Sequence, residues 1–368
     1  MLNAGQQAKL IQFGQALIDQ NNAHIIISPM KPGSGFWFGG GNMVEAVDGT
    51  FYLVGRYRNF GDSRTGLGVG ERGLKLAIFE SCDRGKTFTK KLAFPKPTLN
   101  VGERQVLSIE GAALHLTDDG VELFVSTEKT GIGYPEELRD FHKPNTGVWT
   151  IERLSASAID GLANTEIQTI FECRDPRFLH VKDPVVYDNS DGDTKLVFCT
   201  HPFNWSSSNS AYAVRRKQSA AFDAPDYTFF PRGCTWDVAM TRMTCLLTVP
   251  QVGSFAGIDP VALAFYDGGE SLRNYEQHSQ AVQRPRGYSC EEIGGLAWTL
   301  SADPAKIERL SVNLPLFISP QGTGCSRYVD VLETKEGFYA TWQQSQADLS
   351  QPLVMNFLNR QEAEKILA

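Results

Sequence analysis

One hairpin, written repeatedly, limits what this chain can fold into. Residues 181–201 read VKDPVVYDNSDGDTKLVFCTH. A carboxylate stands just ahead of the β-branched run Val185-Val186-Tyr187, an acidic turn fills residues 188–193, and residues 196–199 return as an apolar strand. Apolar runs bounded by Asp, Asn and Gly are strand–turn–strand signals. The same grammar recurs: residues 109–114 pass through Asp118-Asp119-Gly120 into 121–126, residues 42–47 through Asp48-Gly49-Thr50 into 51–54, and residues 328–332 through Lys335-Glu336-Gly337 into 338–341. A unit returning about every 70 residues predicts an array of small sheets.

Further strand signals extend the units to four strands. The first holds 42–47, 50–58, 74–79 and 88–92, with a glycine-rich loop at 61–73. The second holds 108–116, 121–127, 147–154 and 167–171, and the third 183–187, 195–200, 211–215 and 227–230. The fourth places 243–249, 261–266, 295–300 and 307–310 around a long insertion at 268–293. The fifth has only 327–332, 338–343 and 353–357, so residues 25–27 from the other end of the chain are expected to complete it. Before them, Leu10, Ile11, Phe13, Leu17 and Ile18 fit one face of a short helix. The expectation is all-β: a five-bladed β-propeller as a single domain over 1–368, with residues 1–22 as a helical cap and 23–368 as blades.

The net charge of −7 argues against nucleic acid or an anionic membrane as partner. No apolar run approaches the ~18–20 residues that span a bilayer, and the first twenty residues lack the compact apolar core of a signal peptide. Seven cysteines without a CxxC read as free thiols, which favours a cytoplasmic location. Oligomeric state is left open by the sequence.

In a propeller the innermost strands begin near one axis and line one funnel. Here those starts bring Asn42, Glu110, Asp183, Arg242 and Arg327. Burying such charges costs on the order of several kcal/mol each unless they pair or meet a ligand. Asp330 and Glu45, three residues into their strands, are further acids in reach of the axis. Asp175 and Asp259 read as turn acids. His201, followed by Pro202, Phe203 and Trp205, suits a sugar-binding wall. Arg56, Arg58 and Arg64 flank the glycine-rich loop, and Arg56 with Arg242 and Arg327 is expected to recognise an anionic group. No metal-ligand spacing is present, so neither cofactor nor metal is expected, although an axial ion is compatible with the architecture.

Lys182-Asp183-Pro184-Val185-Val186 and Ile109-Glu110-Gly111-Ala112 resemble the D-P and E-G-[PA] strand starts of five-bladed glycoside hydrolases, the arabinanase/xylosidase and invertase-like superfamily. Residues 81–88, SCDRGKTF, resemble the Asp box of sialidase propellers, a structural turn centred on Asp83. The first resemblance implies a glycosidase that cleaves a terminal, possibly anionic, sugar of an oligosaccharide or glycoside. Glu110 would be its acid and Asp183 its second carboxylate. The chain departs from the pattern in having Asn42 where those enzymes place a basic Asp, and in putting its Glu before its Asp. Two alternatives stand beside it: a non-catalytic propeller that binds a glycan or protein, and a polysaccharide lyase using His201 or Tyr328 as base.

Overall fold

The computed structural model describes residues 2–59, 71–189, 191–269, 291–300 and 303–368. Arg64, Cys290 and most of both the glycine-rich loop and the long insertion lie outside the described residues. Five antiparallel sheets form the five blades of a propeller. Blade I runs from Trp37–Gly39 and Met43–Glu45 through Phe51–Asn59 and Glu71–Ser81 to Thr89–Pro95. Blade II contains Val106–Thr117, Gly120–Lys129, Val148–Ala156 and Gln168–Phe171, and blade III His180–Asp188, Thr194–His201, Asn209–Arg215 and Asp226–Phe230. Blade IV contains Met240–Thr248, Val261–Gly269, Glu292–Leu300 and Asp303–Arg309. Blade V has Ser326–Glu333, Gly337–Gln344 and Leu353–Asn359, and its outer strand is His24–Ile27, with His24 opposite Met355 and Ile25 opposite Val354.

The inner strands are irregular at one level. In blade I the strand breaks at Gly40-Gly41-Asn42, and both halves pair with Phe51–Asn59. In the other four blades the register slips between Ile109 and Ala112, Lys182 and Val185, Met243 and Cys245, and Arg327 and Asp330. A bulge breaks the alternation of faces and re-aims side chains. Five such breaks at one height turn polar residues toward the axis.

Apolar clusters fill each interface between neighbouring blades; Val54, Ile78, Leu114 and Leu123 lie between blades I and II, for example. The cluster between blades IV and V extends under both chain ends. Helix α1 (Ala4–Leu17) starts at a capping box of Asn3 and Gln6 and buries Leu10, Phe13 and Leu17, the face expected from the sequence. Helix α2 (Arg360–Leu367) was not foreseen. Asn359 caps it by accepting from the Glu362 amide, and Ala363 and Leu367 face the core. The Phe13 ring meets Phe338 edge-on at 5.4 Å and is fully buried. Phe13→Ala is expected to cost about 3–5 kcal/mol of unfolding free energy, read from a denaturant titration. Among the described residues no helix is long and apolar enough to cross a membrane.

Asp83 sits in the outer hairpin of blade I. Its carboxylate accepts from Ser81 Oγ (2.8 Å), Thr87 N (2.9 Å) and Thr87 Oγ1 (2.6 Å), while Gly85 takes φ 79°. These bonds hold its carboxyl down at about 2.

Blades II and III are joined by a buried imidazolium. His115 donates from Nδ1 to Glu122 (3.0 Å) and from Nε2 to Asp188 (2.8 Å), and Arg215 makes two 2.6 Å bonds to the same Glu122. Burial disfavours the charge, but the two carboxylates raise the His115 pKa from 6.5 to about 9. A raised folded-state value stabilises fully below the unfolded pKa and is lost as pH rises through about 9. The shift corresponds to about 3 kcal/mol. Thermal unfolding of His115→Gln is therefore expected to lose most of this fall in stability between neutral pH and the alkaline side of 9.

Candidate active site

The bulges of blades II and III bring Glu110 and Asp183 onto touching backbone segments. Gly111 N donates to Asp183 Oδ1 at 2.9 Å, and Ser126 Oγ bridges the two strands, donating to Gly111 O (2.9 Å) and accepting from Asp183 N (3.1 Å). A Cβ at position 111 would lie 2.7 Å from Asp183 Oδ1 and 2.9 Å from its Cα, so only glycine permits this approach. Asp183 has φ 57° and Tyr328, on blade V, φ 54°. Left-handed backbone at non-glycine residues costs on the order of 1–3 kcal/mol and concentrates at functional sites.

Four guanidiniums surround these acids. Arg56 meets Glu110 Oε2 through Nη2 (2.8 Å) and Nε (3.1 Å), and Arg58 lies 3.7 Å from Oε1. Arg242 reaches Asp183 (3.2 Å), Asp267 (2.7 Å) and Glu292 (2.6 Å), and Arg327 shares Glu292 at 2.6 Å. The Tyr328 ring lies beneath three of them, with Arg242 at 3.9 Å, Arg56 at 5.3 Å and Arg327 at 5.4 Å from its centroid. Asp267 also accepts from Tyr328 N at 3.0 Å, which pins the strained turn to Arg242.

The electrostatics separate the acids. Burial opposes ionisation of Glu110, yet Arg56, Lys182 and Arg58 together hold its carboxyl at about 2. The protonated Glu110 expected from the sequence is therefore replaced by an ion-paired carboxylate. Burial dominates at Asp267 and carries it up to about 6 despite Arg242. Asp330 is carried by burial to about 7, its Oδ2 accepting from Met43 N at 2.8 Å. Burial also pushes Tyr328 well above its ordinary value. His201 is pushed well below its own by burial, with Lys182 and His180 adding to the effect, so it is neutral.

The funnel thus gathers Glu110, Asp183, Arg56, Arg242 and Arg327. His201 stands at its side: Nδ1 donates to Ser207 O (2.9 Å), Nε2 lies 3.9 Å from the Cys199 thiol, and Cys199 donates to Asp183 Oδ2 at 3.4 Å. Asn42 is held by backbone instead, its amide exchanging bonds of 2.7 and 2.9 Å with Leu114 across the blade I–II boundary. Glu45 pairs with Arg84, away from these residues. Asp175 closes a turn onto Arg177 (2.6 Å), and Asp259 is exposed. Sequence reasoning missed Asp267 and Glu292, which flank the long insertion, and the indoles of Trp37 and Trp149; Trp205, named with His201 as a sugar-binding wall, stacks on His180 at 3.9 Å. Trp37 lies 4.7 Å from Arg58 and 4.5 Å from Arg327. Among the described residues no group of three His, Cys, Asp or Glu side chains is placed to hold a metal.

A cavity of about 30 Å³ on the axis is lined by Asn42, Gly111, Asp183, Arg242, Tyr328 and Asp330. It adjoins a wider one of about 430 Å³ between the far halves of the inner strands, walled by Val44, Leu114, Val186 and Leu332.

The chain matches no protein-family model and no curated protein. Its fold is similar to solved structures. A thermostable family-43 glycoside hydrolase aligns with TM-score 0.55 at 11% identity over 90% of this chain and 92% of that one. The α-L-arabinofuranosidase of Lactobacillus brevis aligns with TM-score 0.56 at 10% identity over 90% and 92%. The β-1,2-mannobiose phosphorylase of Listeria innocua, in complex with β-1,2-mannobiose, aligns with TM-score 0.56 at 13% identity over 94% and 99%. At these identities the likeness establishes one thing, the five-bladed fold.

Proposed function

We propose that this protein is a glycosidase that cleaves a terminal, anionic sugar from a glycan at the funnel, through Glu110 and Asp183. The observation that carries the reading is the Gly111–Asp183 contact: it joins the bulged strand starts of adjacent blades that carry two buried carboxylates, Glu110 and Asp183, the latter on strained backbone. Cleavage needs one ionised carboxylate and one proton donor. Glu110, with two guanidiniums facing it, supplies the ionised group as base or nucleophile. Asp183 is the second carboxylate of the pair, sharing its single arginine with Asp267 and Glu292. The solved neighbours support the reading by fold, since they include a family-43 glycoside hydrolase, an α-L-arabinofuranosidase and a β-1,2-mannobiose phosphorylase.

The lyase reading keeps one observation in its favour: His201 is neutral and donates from Nδ1 to Ser207 O, which leaves Nε2 as its acceptor. Incubation with neutral and acidic oligosaccharides separates the readings. Hydrolysis releases a saturated sugar with a new reducing end. A lyase releases an unsaturated uronate with ultraviolet absorbance. No product from any glycan, with binding retained, would favour a non-catalytic glycan-binding propeller.

A further inference from the structure

The arginines expected to read an anionic substrate already face protein carboxylates: Arg56 meets Glu110, Arg242 meets three acids, and Arg327 meets Glu292. Lys182 is held more loosely. Its side chain is 13% exposed, its Nζ lies 3.8 Å from Asp183 Oδ2, and its charge also acts on Glu110. Asp183 Oδ2 already accepts from Arg242 and from the Cys199 thiol. Among the described residues nothing accepts a hydrogen bond from this ammonium. It lies instead over two indole faces, 5.5 Å from the Trp149 centroid and 5.6 Å from that of Trp205.

We propose that Lys182 is the specificity-determining cation of the site, reading the oxyanion of an acidic sugar in a subsite walled by Trp149 and Trp205. This deepens the glycan-directed reading above and rests on it. An ammonium carries three donors, and a largely buried charge without hydrogen bonds is stabilised when a ligand supplies the acceptors. The surroundings keep other cations from competing. His180 and His201, paired across the same two strands, are both pushed well below their ordinary pKa by burial, with the Lys182 charge adding to it, and so are neutral. Trp205 is fixed in place, stacked on His180 at 3.9 Å and tilted against His201 at 4.6 Å, with φ 57°. An acidic sugar seated in the axial cavity beside Asp183 would have its anionic substituent within reach of Nζ, which lies 3.8 Å from Asp183 Oδ2. A carboxylate and a sulfate ester offer the same acceptor chemistry.

The test is tryptophan fluorescence titration of the full chain with glucuronate, glucose 6-sulfate and glucose. Saturable binding of at least one acidic sugar, tighter than glucose, is expected, and the tighter of the two identifies carboxylate or sulfate. Lys182→Met is expected to weaken that binding about 10- to 100-fold, the range for a hydrogen bond to a charged group, and to leave glucose binding unchanged. Lys182→Arg restores part of the preference. Equal loss for glucose and the acidic sugar, no loss in Lys182→Met, or no preference for acidic sugars in the unmodified protein would overturn the proposal. Sugar-release assays on the same preparations report separately on the glycosidase reading: binding without turnover leaves Lys182 in its role and removes the hydrolysis.

Discussion

Glu110→Gln is expected to retain sugar binding and lose ~10²–10⁴-fold in turnover, the contribution of a positioned acid or base group. The substitution keeps the shape of the side chain and an oxygen to accept from Arg56, which now bonds Glu110 at 2.8 Å. It removes the negative charge that Arg56, Lys182 and Arg58 maintain at about 2. Because the ionised form is the working one, activity is expected to persist into mildly acidic solution and to fail only as pH falls toward that value. A small external anion such as azide should restore part of the rate lost in Glu110→Ala, where the truncated side chain leaves room for it to replace a missing nucleophile or base. It would not replace a missing proton donor. Unchanged turnover in Glu110→Gln, or loss in Glu110→Ala without azide rescue, would argue against this role.

The second large effect is on stability. Arg242→Met is expected to destabilise the fold by about 3–5 kcal/mol, because it leaves buried carboxylates without their shared cation. Asp183, Asp267 and Glu292 all converge on this guanidinium, at 3.2, 2.7 and 2.6 Å. Asp267, already raised to about 6 by burial with Arg242 opposing, would rise further and enter the folded state neutral at ordinary pH. The sign follows from linkage. A carboxyl raised above its unfolded value destabilises the fold at high pH and less so as pH falls. Arg242→Met should therefore recover stability in acid relative to the unmodified protein. Equilibrium unfolding at neutral and mildly acidic pH measures this, and an unchanged midpoint would mean that the cluster carries little folding energy.

The architecture was legible because four of the five blades repeat an inner hairpin whose turn chemistry is explicit. Gly49 and Gly120 take φ 85° and 144°, values that glycine adopts readily. The closing strand was legible from a unit one strand short. The site was legible in part. Glu110 and Asp183 stand at strand starts, where the blade pattern directs attention. Lys182 was hidden by alternation: consecutive strand residues point to opposite faces, so a neighbour of Asp183 reads as pointing away. The bulge after Lys182 cancels that rule and brings both side chains together. Asp267 and Glu292 were hidden by their position at the two ends of a long insertion, where an acid reads as solvated. Only the register, with Asp267 opposite Arg242 and Glu292 opposite Gly269, folds them back to the axis. Helix α2 did carry a signal, Asn359 followed by Glu362 and then Ala363 and Leu367 four apart, but it is short and follows directly from a strand.

The most direct measurement is the position of the scissile bond in a complex of the Asp183→Asn protein with an acidic oligosaccharide. The account predicts that the glycosidic oxygen lies within hydrogen-bond reach of residue 183, that Glu110 faces the adjoining anomeric carbon or its water, and that the acidic group contacts Lys182. A sugar bound instead in the wide cavity beside Val44, Leu114 and Leu332, with Glu110 still closed onto Arg56 and untouched by ligand, would contradict it.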